Sequence, residues 1–181
     1  MIQLTPLAES DHPHFAKELF ESAFPDEERP PFGEIKKRNT DQFHFLVATL
    51  AEDEPAGILT YWTFEDFVYI EHFAIAEELR NQGLGKAIFL NFLSQQTQQV
   101  ILEVETAHDE EADHRIEFYA SMGLYQNTQD YWQPSYRGEN RLVLPMLIMS
   151  KYELDDDEFA EIAHSLHQNV YHYNGPLTPE A

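Results

Sequence analysis

A series of three β-type segments followed by a glycine-containing turn and an apolar helix constrains the fold of this chain most. Residues 43–50, 56–64 and 68–76 are rich in β-branched and aromatic side chains and are separated by short polar turns. Consecutive strands joined by turns this short pair antiparallel, so we predict a three-stranded meander. After the turn, residues 84–93 are almost wholly apolar, which is typical of a helix packed against a sheet.

The rest of the chain extends this pattern into a single α/β (α+β) domain. We predict a strand at 2–4, a helix capped by Asp11, a breaker-rich loop at 25–33, a short basic helix at 35–38, a strand at 100–104, a helix from a cap at Asp113 to 121, a strand within 140–150 and an amphipathic C-terminal helix. Pro145 indicates an edge position or a bulge, and Gly123 a left-handed helix end. The fold class is a mixed, mainly antiparallel central sheet flanked by helices. The domain covers 1–150, the C-terminal helix at 151–174 packs on it, and 175–181 form a loose tail.

The charge of the chain argues against two classes of partner. It has 33 acidic and 11 basic residues, for a net charge of −22, and so negative a surface repels nucleic-acid phosphates and anionic lipid. The same field either attracts a cationic ligand such as an amine or serves solubility alone. There are no cysteines, which excludes a disulfide framework and a cysteine nucleophile. The first residues do not resemble a secretory signal and no stretch is apolar enough to span a membrane, so we expect a cytoplasmic protein.

The turn Arg80-Asn81-Gln82-Gly83-Leu84-Gly85-Lys86 carries the clearest chemical signal. Glycines allow a ligand to approach the backbone closely, and the first N–H groups of a helix have no intrahelical acceptor. With the helix dipole they form an anion site suited to a pyrophosphate. The turn is neither a Walker A loop nor the dinucleotide fingerprint. The alternative interpretation is a tight strand–helix connection without a ligand.

Two motifs resemble those of the GNAT superfamily of N-acetyltransferases. The pattern Arg80-x-x-Gly83-x-Gly85, after a strand that ends Phe73-Ala74-Ile75-Ala76, is similar to the acyl-CoA signature of that family. The segment 115–124, with Phe118-Tyr119 and then Gly123-Leu124, is similar to its second recurrent motif. The order of the predicted elements agrees over residues 1–150. Many members have an Asn seven residues before the tyrosine, where this chain has Ala112.

The resemblance implies roles for particular residues. Phe73, Ala74 and Ile75 would line the acyl-pantetheine and polarise its thioester carbonyl through a backbone N–H. The turn would hold the pyrophosphate by main-chain amides, with Arg80 and Lys86 adding positive charge; its residues are Arg80, Asn81, Gln82, Gly83, Leu84, Gly85 and Lys86. Tyr119 would donate a proton to the departing thiolate. The base candidates are Glu71, then Glu105, then His72, and alternation along the strand would let only one of Glu71 and His72 face a given side.

The leading hypothesis is therefore an acetyl-CoA-dependent N-acetyltransferase acting on a primary amine, small or on a protein, by direct attack in a ternary complex. The alternatives are a non-catalytic CoA-binding domain that retains the fold, and an acidic protein-interaction module. The apolar face of the C-terminal helix could complete the core or serve a homodimer. The histidine-rich patches, His12-x-His14, His164-x-x-His167 and 108–114, show no known ligand pattern, so we expect surface residues and no metal.

Overall fold

The computed structural model describes residues 1–35, 37–38, 40–107, 110–137 and 141–177. They form two compact units, one of Met1–Asp26 with Pro31–Val100 and the other of Glu27–Pro30 with Ile101–Ala181. The predicted domain bounds at 150 and 174 and the predicted tail stay predictions. No helix in the described part of the chain is long and apolar enough to cross a membrane.

Within its described residues, the first unit has four strands and three α-helices. In chain order they are β1 (Gln3–Pro6), α1 (Pro13–Ala23), α2 (Phe32–Ile35), β2 (Phe43–Thr49), β3 (Pro55–Thr63), β4 (Phe67–Ile75) and α3 (Leu84–Ser94). β1 pairs with β2, β2 with β3 and β3 with β4, all antiparallel. The predicted meander is confirmed.

Two hydrophobic clusters cover the two faces of this sheet. On one face, α1 and α2 pack on β2, β3 and β4 through buried side chains: Ala16, Leu19, Phe20, Phe32, Ile35, Phe45, Val47, Ile58 and Ala74. On the other face, Ile88 of α3 packs with Ala48, Ala56 and Ile75. Because Ala74 and Ile75 are consecutive in β4, each contributes to a different cluster, as strand alternation requires.

A β-bulge interrupts this alternation in the middle of β4. Thr60 of β3 lies opposite His72, and the next residue, Tyr61, lies opposite Ile70, so Glu71 is the extra residue. Thr60 and Trp62 share one face of β3, and His72 contacts Thr60 while Glu71 contacts Trp62. Both β4 side chains therefore lie on the face that α1 covers. The prediction that only one of them could face a given side was wrong, because it assumed an unbroken strand.

The second unit is organised around its longest strand. Its elements are β5 (Gln99–Glu105), α4 (Glu110–Ala120), β6 (Tyr125–Gln126), β7 (Tyr131–Pro134), β8 (Leu142–Ser150) and α5 (Asp156–Asn169). The first two residues of β5 belong to the first unit, and the strand belongs to the second unit from Ile101 on. β8 pairs antiparallel with β5, β6 and β7. Pro145 pairs with Trp132 of β7, one residue beyond the stretch of β8 that pairs with β5, which fits the predicted edge position.

The C-terminal helix α5 has the predicted amphipathic form. Asp155 and Glu158 form a capping box at its start. The residues predicted for its apolar face are buried: Phe159, Ile162, Ala163, Leu166 and Val170. His167, expected at the surface, is also buried at 1% exposure, because the helix lies with this side toward β7, where the His167 ring bonds the Trp132 carbonyl.

Three helix starts differ from the predictions. The N-cap of α1 is His12 and not Asp11, because Pro13 occupies the first helical position. α2 begins at Phe32 and not at Ile35, since the Pro31 carbonyl accepts hydrogen bonds from the backbone N–H groups of Glu34 and Ile35 in the first turn. α4 begins at Glu110, so the predicted cap Asp113 lies inside its acidic first turn. Gly123 has the predicted left-handed conformation, with φ 90°. Asn140, where the β8 prediction began, and His108 lie outside the described residues.

Candidate functional site

The predicted anion-binding turn has the geometry that such a site requires. Gly83 is the N-cap of α3 with φ 78°, and Asn81 also has a positive φ of 59°. A Cβ atom on Gly83 would meet nothing within 4 Å, so the backbone conformation and not lack of space favours glycine there. Asn81, Gln82 and Gly83 are exposed. The turn therefore presents an accessible backbone at the N-terminal, electropositive end of a three-turn helix.

Side chains of the turn brace it against the strand that precedes it. Arg80 Nε donates to the Ile75 carbonyl over 3.1 Å, and Gln82 Nε2 donates to the Glu78 carbonyl over 3.0 Å. The Arg80 guanidinium thus holds the turn to the end of β4 while its charge stays at the turn. Leu84, Gly85 and Lys86 form the first turn of α3.

At the end of β4, the side chains of residues 73–75 are occupied by packing. Ala74 and Ile75 are 8% and 9% exposed and belong to the two core clusters. Phe73 packs on Phe89 of α3 with ring centroids 5.3 Å apart. Any ligand contact by these predicted cofactor-binding residues would therefore run mainly through backbone groups. Opposite them, a Cβ atom on Gly57 would lie 2.7 Å from the Ala74 oxygen, so this stretch of β3 and β4 requires glycine.

Glu71, the first base candidate, is held in a buried ion pair. Arg38 Nη1 donates to both carboxylate oxygens over 3.0 and 2.7 Å, and Trp62 Nε1 donates to one of them over 2.8 Å. The Glu71 side chain is 0% exposed. Burial alone would raise the pKa of Glu71, but the Arg38 charge, then His72 and these hydrogen bonds, bring it below its ordinary value. A carboxylate kept ionised in this way is a weak proton acceptor, and its role as base stays a prediction.

His72, the third base candidate, lies beside Glu71 in the bulge. Its Nδ1 lies 3.0 Å from Thr60 Oγ1. The imidazole ring packs edge-on against Phe20 of α1 and against Phe24, the C-cap of that helix. Its centroid lies 4.9 Å from the Phe20 ring centroid and 4.7 Å from that of Phe24. The residue is 3% exposed. These contacts hold the imidazole in one orientation.

In the second unit lies Tyr119, the predicted proton donor. It lies in the last turn of α4, half-buried, with its ring against Phe118. Burial raises the pKa of Tyr119 to about 12, and Arg115 offsets this only in part. The phenol is therefore protonated throughout the neutral pH range.

Glu105, the second base candidate, lies in a group of carboxylates around Arg115. Arg115 Nη1 lies 3.1 Å from a Glu105 oxygen, and Nη2 lies 3.4 Å from Glu111. Glu28, from the loop between α1 and α2, belongs to the same group. Its burial, and then the nearby Glu105 charge, raise the pKa of Glu28, while Arg115 opposes the change. Sequence reasoning missed Glu28, because a loop carboxylate has no local pattern that marks its neighbours.

A second carboxylate, Glu103, was also missed. Tyr131, Gln133 and Tyr171 donate to its oxygens, the last two over 2.6 Å each. Burial, then the Glu103 charge, raise the pKa of Tyr131 well above its ordinary value. Tyr131 and Gln133 of β7, together with Tyr171 after α5, are thus hydrogen-bonded to a carboxylate of β5. Among the described residues, no group of three or more His, Cys, Asp or Glu is placed to hold a metal ion.

Comparisons with known proteins agree with the motifs. The model of the acetyltransferase (GNAT) family matches residues 11–124. A solved structure from Bacteroides thetaiotaomicron, assigned to the GNAT acetyltransferases, is 33% identical with a TM-score of 0.86, over 96% of this chain and 99% of that one. No curated protein sequence gave a significant match.

More distant structures share the fold. A variant of spermidine N-acetyltransferase from Vibrio cholerae has a TM-score of 0.61 at 14% identity, over 82% of this chain and 92% of that one. A GNAT family acetyltransferase from Elizabethkingia anophelis, solved with acetyl-CoA bound, has a TM-score of 0.55 at 13% identity, over 82% and 96%. The predicted fold class, a mixed, mainly antiparallel sheet flanked by helices, is confirmed.

Proposed function

This chain belongs to the GNAT acetyltransferase family and is an acetyltransferase, and from that premise we propose that it transfers the acetyl group of acetyl-CoA to a primary amine. The observation that carries the proposal is the turn between β4 and α3. It combines a left-handed, exposed glycine, a second positive φ at Asn81 and the N-terminus of a helix. These features suit a pyrophosphate, because backbone amides and the helix dipole both favour a bound anion.

We propose the following division of tasks among the residues of this chain. The turn from Arg80 to Lys86 binds the pyrophosphate, and the main chain of residues 73–75 binds the pantetheine and polarises the thioester carbonyl. The amine nitrogen attacks the carbonyl carbon directly, the new C–N bond forms, and the C–S bond breaks. Tyr119, whose phenol carries its proton at neutral pH, gives that proton to the departing sulfur.

For the proton that leaves the amine, we propose Glu105 ahead of Glu71. Glu71 is enclosed by Arg38 and Trp62 and is kept ionised. Glu105 is 29% exposed at its side chain and lies at the end of β5. Glu28 lies close enough to Glu105 for their charges to interact.

For the acceptor, we propose a cationic amine. The net charge of −22 would concentrate cations near the protein and raise their rate of encounter. One structural relative is named a spermidine N-acetyltransferase, and spermidine, the acceptor in that name, is a polycation. We therefore expect a polyamine or a basic peptide to be acetylated faster than a neutral amine of similar size.

Calorimetric titration with acetyl-CoA tests the proposal first, using Gly83→Asp and Gly83→Asn as a matched pair. Asp and Asn both tolerate a positive φ and have nearly the same size, so their difference isolates the negative charge placed at the turn. We expect micromolar binding by the wild type, a moderate loss with Asn and no detectable binding with Asp. Gly33→Asp, at an exposed position without a positive φ, should bind as the wild type does.

Activity is then measured as release of free CoA thiol with neutral, singly charged and polycationic amines at two salt concentrations. Steering by the protein's field predicts that added salt lowers kcat/KM for the polycation most. Absence of acetyl-CoA binding by the wild type would refute the proposed function. Equal binding by the Asp and Asn variants would remove the turn as the pyrophosphate site.

A further inference from the structure

Arg38 connects three strands of the first unit at one point. It lies in the connection between α2 and β2, and its guanidinium carbon is 5.1 Å from the ring centroids of both Phe43 in β2 and Trp62 in β3. The same guanidinium donates to both oxygens of Glu71 in β4. Arg38 is 17% exposed at its side chain. From the sequence, Arg38 was predicted only to lie in a short basic helix, and nothing there indicated its ion pair with Glu71.

The contact is made at the bulge and so fixes the path of the β4 main chain. As a whole residue Glu71 is only partly buried, although its side chain is 0% exposed. Its accessible surface is therefore the main chain of the bulge. A bulge lacks the regular ladder that fixes an ordinary strand, and its conformation depends more on side-chain anchors. At Glu71 the anchors are Arg38 and Trp62, which together bond both carboxylate oxygens.

We propose that Arg38 is a positioning residue for acetyl transfer: by anchoring Glu71 it fixes the β4 bulge and thereby aims the main chain of residues 73–75 at the acyl group. This inference rests on the proposed function, since it concerns the strand proposed to bind the pantetheine. Oriented backbone donors stabilise a developing oxyanion only when they are held in place beforehand. A displacement of about 1 Å can cost about 100-fold in rate. On this assignment Glu71 anchors the strand and does not accept the amine's proton.

The test compares Arg38→Met, Arg38→Lys, Glu71→Gln and the double variant R38M/E71Q with the wild type. Lys37→Met is the matched control, because Lys37 is an exposed cation one residue away. We expect Arg38→Met to lower kcat by about 10- to 100-fold while the Kd of free CoA changes less than about 3-fold, since the pyrophosphate turn lies elsewhere in the chain. Arg38→Lys should recover part of kcat, and Lys37→Met should equal the wild type.

Two readouts separate positioning from a purely structural role and from base catalysis. The double variant removes both charges and should regain the urea midpoint that Arg38→Met loses, without regaining kcat. Glu71→Gln should lower kcat but keep the shape of the wild-type pH–rate profile. Recovery of kcat together with stability in the double variant would overturn the proposal, as would wild-type kcat in Arg38→Met. Loss of the acidic limb of the profile in Glu71→Gln would overturn it in favour of Glu71 as the base.

Hydrogen exchange distinguishes failure of this inference from failure of the proposed function. In Arg38→Met, peptides covering β4 should exchange faster than in Lys37→Met, while those covering α3 should not. If the wild type acetylates no amine, the proposed function fails, and faster exchange confined to β4 still supports the anchor. Unchanged exchange in β4 overturns the anchor whatever the activity.

Discussion

His167 should make the stability of this protein depend on pH between about 4 and 6.5. Its Nε2 donates to the Trp132 carbonyl over 2.8 Å, whereas its Nδ1 is buried and has no hydrogen-bond partner within the described part of the chain. The ring packs against Tyr131 and Tyr173, and the residue is 1% exposed. Protonation would place a charged donor without an acceptor between aromatic rings. Burial therefore lowers the pKa of His167 to about 4, with the Trp132 bond opposing and His164 adding to the change.

The sign and size of the effect follow from linkage. Above pH 6.5 the imidazole is neutral in both the folded and the unfolded chain. As the pH falls from about 6.5 to 4, the unfolded chain binds a proton that the folded chain does not, so the free energy of unfolding decreases. A pKa difference of about 2.5 corresponds to about 3.4 kcal/mol. Because a protein relaxes and admits water around a new charge, we expect about 2 kcal/mol.

The assay is urea unfolding of the wild type, His167→Gln and His164→Gln at pH 7 and pH 4.5. Glutamine does not titrate, so His167→Gln should lose about 2 kcal/mol less than the wild type on acidification, whatever its stability at pH 7. His164 is exposed on the same helix and is the smallest of the named influences on the His167 pKa, so its variant should keep most of the wild-type pH dependence. Carboxylates titrate alike in all three proteins and cancel in the comparison. Parallel pH dependence of the wild type and His167→Gln, within about 0.5 kcal/mol, would refute the reasoning.

Three further substitutions test other parts of the structure. Tyr119→Phe should lower kcat for thiol release by about 100-fold and leave the Kd of acetyl-CoA nearly unchanged; an unaltered kcat would remove Tyr119 as the proton donor. Gly57→Ala should cost about 1–3 kcal/mol in urea unfolding, because the new Cβ would lie 2.7 Å from a carbonyl of β4; Gly33→Ala, which meets nothing within 4 Å, is the control. Asp155→Ala should cost about 1 kcal/mol through loss of the α5 capping box, and an unchanged thermal midpoint would contradict that.

Long elements with a strong hydrophobic period could be predicted from the sequence, and short ones could not. The predicted meander and α3 lie within one or two residues of their observed bounds, because many side chains specify them together. The four-residue helix α2 begins three residues before its predicted start, since its position depends on the Pro31 carbonyl and on burial of Phe32 and Ile35. At α4, Glu110, Glu111 and Asp113 all lie in the first turn, so the acidic pattern alone does not identify the first helical residue.

The bulge shows why a correctly predicted strand still led to a wrong prediction of which side chains lie on each face of the sheet. Nothing in the sequence around Glu71 marks an extra residue, so regular alternation was the only available assumption. The bulge depends on partners far along the chain: Arg38, 33 residues earlier, and Trp62, nine residues earlier. A single inserted residue then reverses which side chains share a face.

The same distinction between local and distant signals divides the candidate site. The proposed pyrophosphate site uses backbone amides, and the left-handed backbone conformation of the turn favours glycine, so Gly83 indicates this proposed site in the sequence itself. Proton acceptors and acceptor-binding groups are side chains whose properties depend on their neighbours. Glu28 and Glu71 are both carboxylates near other ionisable groups, yet burial and a second carboxylate raise the pKa of the first, whereas an arginine lowers that of the second. The acyl donor can therefore be inferred from a sequence motif. The base and the residues that bind the amine have to be identified by substituting side chains that only the folded chain brings together.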